Sequence, residues 1–122
     1  MTIKFVSILL FLLMSNSTNL QNGIIGKWQN SKAGYTVEIF NRDNKFFGKI
    51  IDVKETKSND EIGHVLLTNL VFDASYKKYY GKVKTPSGMT ADCEIELLNQ
   101  NQFQLTVKKL FIKKTQMFKR TE

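Results

Sequence analysis

Apolar and polar residues alternate in two neighbouring segments near the end of this 122-residue chain. In residues 91–98 apolar side chains fall at every second position, and residues 103–107 repeat the pattern after the polar stretch 99–101. Because successive side chains of a β-strand point to opposite faces, this period predicts two strands with one face on a core and one in water. The polar stretch between them is typical of a hairpin connection.

Further short segments of the same kind fill the rest of the chain. Residues 25–29, 35–39, 46–53, 79–84 and 112–120 are predicted as strands, with turn residues at 32–34, 41–44 and 86–88. Residues 65–72 are apolar on both faces, a pattern that fits either a buried strand or a short helix. The polar stretch 53–63 is expected to be the longest loop.

These segments predict an all-β fold of about eight antiparallel strands joined in sequence order. No segment shows a long apolar period of 3.6 residues, so there is little helix to cover an open sheet. Closing the sheet removes its exposed edges and buries its apolar face. We therefore expect residues 18–122 to form one domain, a small lipocalin-like barrel.

The first residues have the order of a secretory signal peptide. Lys4 precedes ten almost uniformly apolar residues, 5–14, and small polar residues follow. A membrane-spanning helix needs roughly 20 such residues, so the run is too short to span. We expect cleavage after Ser17, export to the periplasm or the medium, and no transmembrane segment in the mature protein.

Several short motifs follow one another in a characteristic order in the mature chain. They are Gly26-x-Trp28, Phe46-Phe47-Gly48, Tyr80-Gly81-Lys82-Val83, Pro86-Ser87-Gly88 and residues 114–120. Their order and spacing resemble the domain of unknown function 2147 family of small exported bacterial proteins. The resemblance implies a fold and a compartment but no assigned activity. The chain departs from the family in having Phe118 where a Trp is usual, and in lacking an Asn-Pro element in residues 55–61.

A looser resemblance connects the chain with lipocalin-like barrels, which pair a Gly-x-Trp on the first strand with an Arg on the last. Here the structural signature would comprise Gly26, Trp28, Phe118 and Arg120. A guanidinium stacked on an indole is worth roughly 0.5–2 kcal/mol. The resemblance therefore implies that Arg120 covers Trp28 and closes the base of the barrel.

Basic residues are concentrated in the second half of the chain. The net charge is +7, and residues 77–122 hold ten basic and four acidic side chains. A candidate basic surface consists of Lys77, Lys78, Lys82 and Lys84. It fits either an anionic component of the cell envelope or a solvated face without a partner. Nucleic acid is not an expected partner of an exported protein.

Groups that could carry catalysis or bind a metal are few. His64 is the single histidine, Cys93 is the single cysteine, and no nucleophile-elbow or phosphate-loop motif occurs. Besides a loop histidine, His64 leaves open a weak surface metal site with Asp60 and Glu61, and a Ser–His–Asp triad whose members would meet only in the folded protein. The sequence therefore predicts no cofactor and no catalytic residues, and favours a non-enzymatic protein.

An eight-stranded barrel is either filled by side chains or holds one small ligand. The favoured hypothesis is an exported barrel that binds a small apolar or amphipathic molecule inside. The alternatives are an envelope interaction module that uses the basic surface, and an enzyme of unknown class. The residues predicted to face the ligand are Tyr35, Val37, Ile39, Val83, Ile95, Leu97, Phe103 and Leu105.

Overall fold

A computed structural model describes residues 21–54 and 61–121 of the chain. A 3₁₀ turn at Asn22–Ile24 leads into eight strands. They are β1 (Gly26–Asn30), β2 (Tyr35–Arg42), β3 (Lys45–Val53), β4 (Val65–Asp73), β5 (Lys78–Lys84), β6 (Thr90–Asn99), β7 (Gln102–Lys109) and β8 (Ile112–Arg120). The predicted signal peptide, residues 1–17, and most of the predicted long loop lie outside the described residues.

Each strand pairs antiparallel with the next one in the chain, and β8 pairs back with β1 to form a closed barrel. This confirms the all-β prediction and the order of the meander. The ambiguous segment 65–72 belongs to strand β4 and is not helical. Both Leu66 and Leu67 are buried there, and Asn69 adopts a positive φ of 54° where the pairing of β4 with β5 shifts.

Because the strands run up and down in turn, the two ends of the barrel are formed by different connections of the chain. We call the end where β1 starts and β8 finishes the sealed end, and the opposite end, with the turns 31–34, 85–89 and 110–111, the open end. Large aromatic side chains fill the interior near the sealed end. These fully buried residues are Trp28, Phe46, Tyr79, Phe103 and Phe118.

Aromatic contacts hold this part of the core in one arrangement. The Trp28 and Phe103 rings meet edge to face with centroids 4.7 Å apart, and Phe103 stacks on Phe118 at the same separation. Such pairs contribute about 0.5–1.5 kcal/mol beyond the burial of their surface. The interior near the sealed end is therefore a packed aromatic core.

The segment before β1 covers the sealed end. Ile24 is fully buried, and its carbonyl accepts a hydrogen bond of 2.9 Å from Nε1 of Trp28. The buried hydroxyl of Tyr79 donates to the carbonyl of Gln21. Both polar aromatic groups are thus satisfied by the same short segment, as burial requires.

The last strand completes the closure where it meets the first. Trp28 lies opposite Arg120 in the register, and Gln29 lies opposite Lys119. The guanidinium carbon of Arg120 lies 4.2 Å from the centre of the Trp28 ring system. The structure therefore contains the stacked Arg–Trp contact that the lipocalin-like signature implies.

Candidate functional site

On β5, β6 and β7 the inward-facing side chains near the open end are smaller than the aromatic residues of the core. These side chains are Val83, Ala91 and Val107, and Lys109 follows Val107 on the same face at the end of β7. They surround a depression of about 300 Å³, which we call the mouth. At the mouth the strands of the barrel wall thus extend beyond the packed core and enclose a space that side chains do not fill.

The rim of the mouth combines apolar and basic side chains. Met89 and Ile112 extend its apolar lining, and Lys109 and Lys114 also border it. By alternation Lys109 shares the face of Val107, while Lys114 lies opposite Val107 in the register. Two ammonium groups are therefore carried at the entrance of an apolar depression.

A second opening lies beside the mouth, between β1 and β8. Strand β1 ends at Asn30 after five residues, whereas β8 has nine, and only two residues of each strand are paired. The barrel wall therefore separates above these pairs. The resulting seam cleft has a volume of about 530 Å³.

A polar bridge crosses the inner side of this seam. The Nδ2 of buried Asn30 donates to Oε1 of Gln116 at 2.8 Å, and the Oδ1 of Asn30 accepts from the backbone N–H of Ala33 at 3.0 Å. The Tyr35 hydroxyl lies 3.4 Å from the same Gln116 oxygen. Burial raises the pKa of Tyr35, so this hydroxyl stays protonated and acts as a donor.

Positive charge dominates the seam cleft. Lys32, Lys114 and Lys119 line it, and none of its described lining residues carries a carboxylate. Lys114 borders both the cleft and the mouth. The two openings together combine apolar walls with lysine ammonium groups and the polar bridge between Asn30 and Gln116, which is the arrangement that an amphipathic anion needs.

The residues predicted to face a ligand fall into different environments. Five of them are packed in the core with at most 2% of their surface exposed, namely Val37, Ile39, Ile95, Phe103 and Leu105. Tyr35 and Leu97 are half-buried and pack against this core, and Val83 alone lines the mouth. A ligand contact of these residues stays a prediction.

Sequence reasoning did not single out Ala91, Val107, Lys109 or Lys114. The alternation does assign Ala91 and Val107 to the inner face of the sheet. A usable signal was their position on the inner face close to a turn, since such residues lie near the rim of a barrel. The bridge between Asn30 and Gln116 had no comparable local signal, because the two residues are 86 positions apart.

Two of the four lysines of the predicted basic surface pair with carboxylates on β6. Lys78 pairs with Glu94 at 3.0 Å, and Lys82 pairs with Asp92. Glu94 also binds Lys108 at 3.0 Å, so it bridges β5 and β7 from its position on β6. Hydrogen bonds from Lys78 and Lys108 hold the pKa of Glu94 below its usual value.

His64 and Cys93 lie in different surroundings, one hydrogen-bonded at the surface and the other buried. His64 Nε2 donates to the carbonyl of Lys84 at 2.6 Å, which ties the end of the β3–β4 connection to β5. Cys93 is buried, and burial raises the pKa of its thiol to about 12. Of the predicted metal partners of His64, Asp60 lies outside the described residues.

No described helix has the length and apolar character needed to span a bilayer. Comparisons of the chain with protein-family models, with curated proteins and with solved structures find no match.

Proposed function

We propose that this protein is a non-enzymatic binding barrel whose ligand is an amphipathic molecule with an anionic head group. The observation that carries the proposal is the juxtaposition of the apolar mouth with the basic seam cleft, which meet at Lys114. An alkyl or ring portion in the mouth would contact Val83 and Val107. The head group would lie in the cleft beside Lys114.

The sizes of the two openings support a ligand of this kind. Small-molecule sites usually occupy about 300–1,000 Å³ and combine apolar walls with a few polar groups. The mouth and the seam cleft, at about 300 Å³ and 530 Å³, both fall in this range. The aromatic side chains packed together near the sealed end favour binding at the mouth over binding deep inside the barrel.

A fluorescent fatty acid provides a direct test of ligand class. Dansylaminoundecanoic acid, titrated into the protein, should bind with one site and show enhanced emission. Its methyl ester keeps the apolar chain but lacks the charge, so it should bind more weakly. Absence of binding by the acid, or equal binding of acid and ester, would contradict an anionic amphipath.

Two variants locate the binding site. Ala91→Phe fills the mouth and should abolish binding of both probes. Lys114→Glu should lower the affinity for the acid about tenfold or more, because an attraction between opposite charges becomes a repulsion. The affinity for the uncharged ester should change less. Lys45→Glu, an exposed position at the sealed end, serves as the matched control. Equal losses in Lys114→Glu and Lys45→Glu would argue against a head-group site in the cleft.

We also propose that residues 1–17 direct export and are removed, as the order of charged, apolar and small residues indicates. Expression of the full chain in a bacterial host, followed by mass spectrometry of the recovered protein, tests this. The expected mature chain starts at Thr18. Recovery of the intact chain from the cytoplasm would contradict the proposal. Export would be consistent with the resemblance to the domain of unknown function 2147 family.

A further inference from the structure

The turn between β7 and β8 exposes three consecutive apolar side chains. Leu110, Phe111 and Ile112 are 92%, 103% and 69% exposed, and we call them the apolar tip. Hairpin turns normally carry Gly, Asn, Asp or Ser, which satisfy the backbone and interact well with water. Leu110 instead adopts a positive φ of 55°. The backbone conformation of this turn and the exposure of its apolar side chains to water are both unfavourable. This combination indicates a partner that buries the apolar side chains.

Basic residues flank the apolar tip on both strands. Lys108 and Lys109 precede it, and Lys113 and Lys114 follow it. Lys108 lies opposite Lys113 in the register but is paired with Glu94, so Lys109, Lys113 and Lys114 supply the positive charge just below the tip. The partner that takes up the tip must therefore be apolar at its centre and negatively charged around it.

We propose that the apolar tip inserts into the surface of a lipid bilayer that contains anionic lipids. Apolar side chains bury themselves at the boundary of head groups and acyl chains, and lysines a few ångströms behind them reach the head groups. An anionic leaflet attracts each lysine near its surface. The sequence Lys-Lys-Leu-Phe-Ile-Lys-Lys has this order at the end of a projecting hairpin.

A protein partner fits the same features less well. A stable protein interface takes roughly 20–30 residues on each side, and the tip offers three apolar ones. Association of two copies through their tips would bring Lys109, Lys113 and Lys114 of both copies close together. Neither objection applies to an anionic bilayer, because it accepts a small apolar insertion and supplies negative charge on all sides.

Neighbouring loops at the open end add to the same surface. Met89, in the turn between β5 and β6, is 57% exposed, and Ile62, before β4, is 47% exposed. Docking through the tip would turn the open end, and with it the mouth, towards the membrane. Neither Phe111 nor Lys113 lines the mouth or the seam cleft, so membrane docking and ligand binding are separable by mutation.

Site-specific fluorescence in the full chain tests the inference. Phe111→Trp places an indole at the tip, and Tyr76→Trp places one at an exposed turn of the sealed end. Each variant is mixed with vesicles of equal phosphatidylcholine and phosphatidylglycerol that carry brominated acyl chains. We expect blue-shifted and quenched emission for Phe111→Trp and neither effect for Tyr76→Trp. Equal quenching of the two variants would overturn the proposal.

Sedimentation with the same mixed vesicles measures the affinity. Phe111→Glu and Lys113→Glu should each weaken binding about tenfold or more, while Tyr76→Glu should leave it unchanged. Binding should also fall with added salt and be far weaker on phosphatidylcholine alone. Unchanged binding of Phe111→Glu, equal binding to uncharged vesicles, or concentration-dependent self-association through the tip without lipid would contradict membrane docking.

Discussion

Gly26 leaves the space that the Arg120 guanidinium occupies. A Cβ built on Gly26 would overlap Nη1 of Arg120, and Gly26 has a φ of +142°, which other residues rarely adopt. The same guanidinium donates hydrogen bonds to the carbonyls of Ile25, Gly23 and Gln100 at 3.0, 2.7 and 2.9 Å. The first and last strands are thus locked together by one glycine and one arginine.

Gly26→Ala should lower the free energy of unfolding by about 2–4 kcal/mol, through backbone strain and displacement of a held side chain. Gly88→Ala is the matched control, since Gly88 has a φ of +99° with open space around it, and should cost about 1–2 kcal/mol. Urea denaturation measures both. In an Arg120→Ala background the cost of Gly26→Ala should fall towards that of the control; an undiminished cost would show that the guanidinium is not the obstacle.

Arg120→Ala should lower the free energy of unfolding by roughly 2–4 kcal/mol, because it removes the stacking on Trp28 and three hydrogen bonds. Arg120→Lys should recover less than half of the stability that Arg120→Ala loses, since an ammonium lacks the planar guanidinium that reaches three carbonyls. Lys119→Ala, at the neighbouring exposed position, should change stability by less than about 0.5 kcal/mol. Full recovery by the Lys variant would mean that charge alone closes the barrel.

Cys93 should react very slowly with a thiol reagent while the protein is folded. Its thiol is buried, and a pKa of about 12 leaves almost no thiolate at pH 8. Addition of 5,5′-dithiobis(2-nitrobenzoic acid) with and without urea measures the difference. The folded protein should react only as fast as it opens. Rapid labelling without denaturant would show that the site between β5 and β7 is accessible.

Glu94 should make stability depend on acidic pH. Its folded pKa lies below the ordinary value of 4.5, so its contribution is present above pH 4.5 and is lost as the pH falls through the folded pKa. Thermal unfolding of Glu94→Gln, compared with wild type between pH 3 and pH 7, should show a smaller loss on acidification. Glu96→Gln, two residues along β6, is the control. An identical pH profile for wild type and Glu94→Gln would exclude a stabilising bridge between Lys78 and Lys108.

The strands were predictable because alternation is a local property of the chain. Residues 91–98 and 103–107 show the period directly, and both lie in the strands of the barrel, β6 and β7. Segment 65–72 was not decidable in this way. Its pairing shifts register, and both Leu66 and Leu67 are buried, so the segment lacks the simple period of a half-buried strand.

The candidate site was much less predictable than the fold. The alternation places Val107 on the inner face, but it does not say whether an inner residue is packed or borders a cavity. Val37 and Val83 have the same side chain and both face inwards, yet only Val83 lines the mouth. The difference arises from the positions of the two residues along the barrel axis, and from the side chains of other strands that lie at the same level.

In the alternating strands the amino-acid sequence alone thus determined which side chains face the interior, and it determined that the strands follow one another as a meander. Both properties depend on neighbours in the chain. Only the tertiary structure decided where the interior is empty and where the wall opens. The seam depends on β1 being shorter than β8, and Asn30 and Gln116 bridge it from positions 86 residues apart. Empty space depends on the summed volumes of side chains from all eight strands, which no local period specifies.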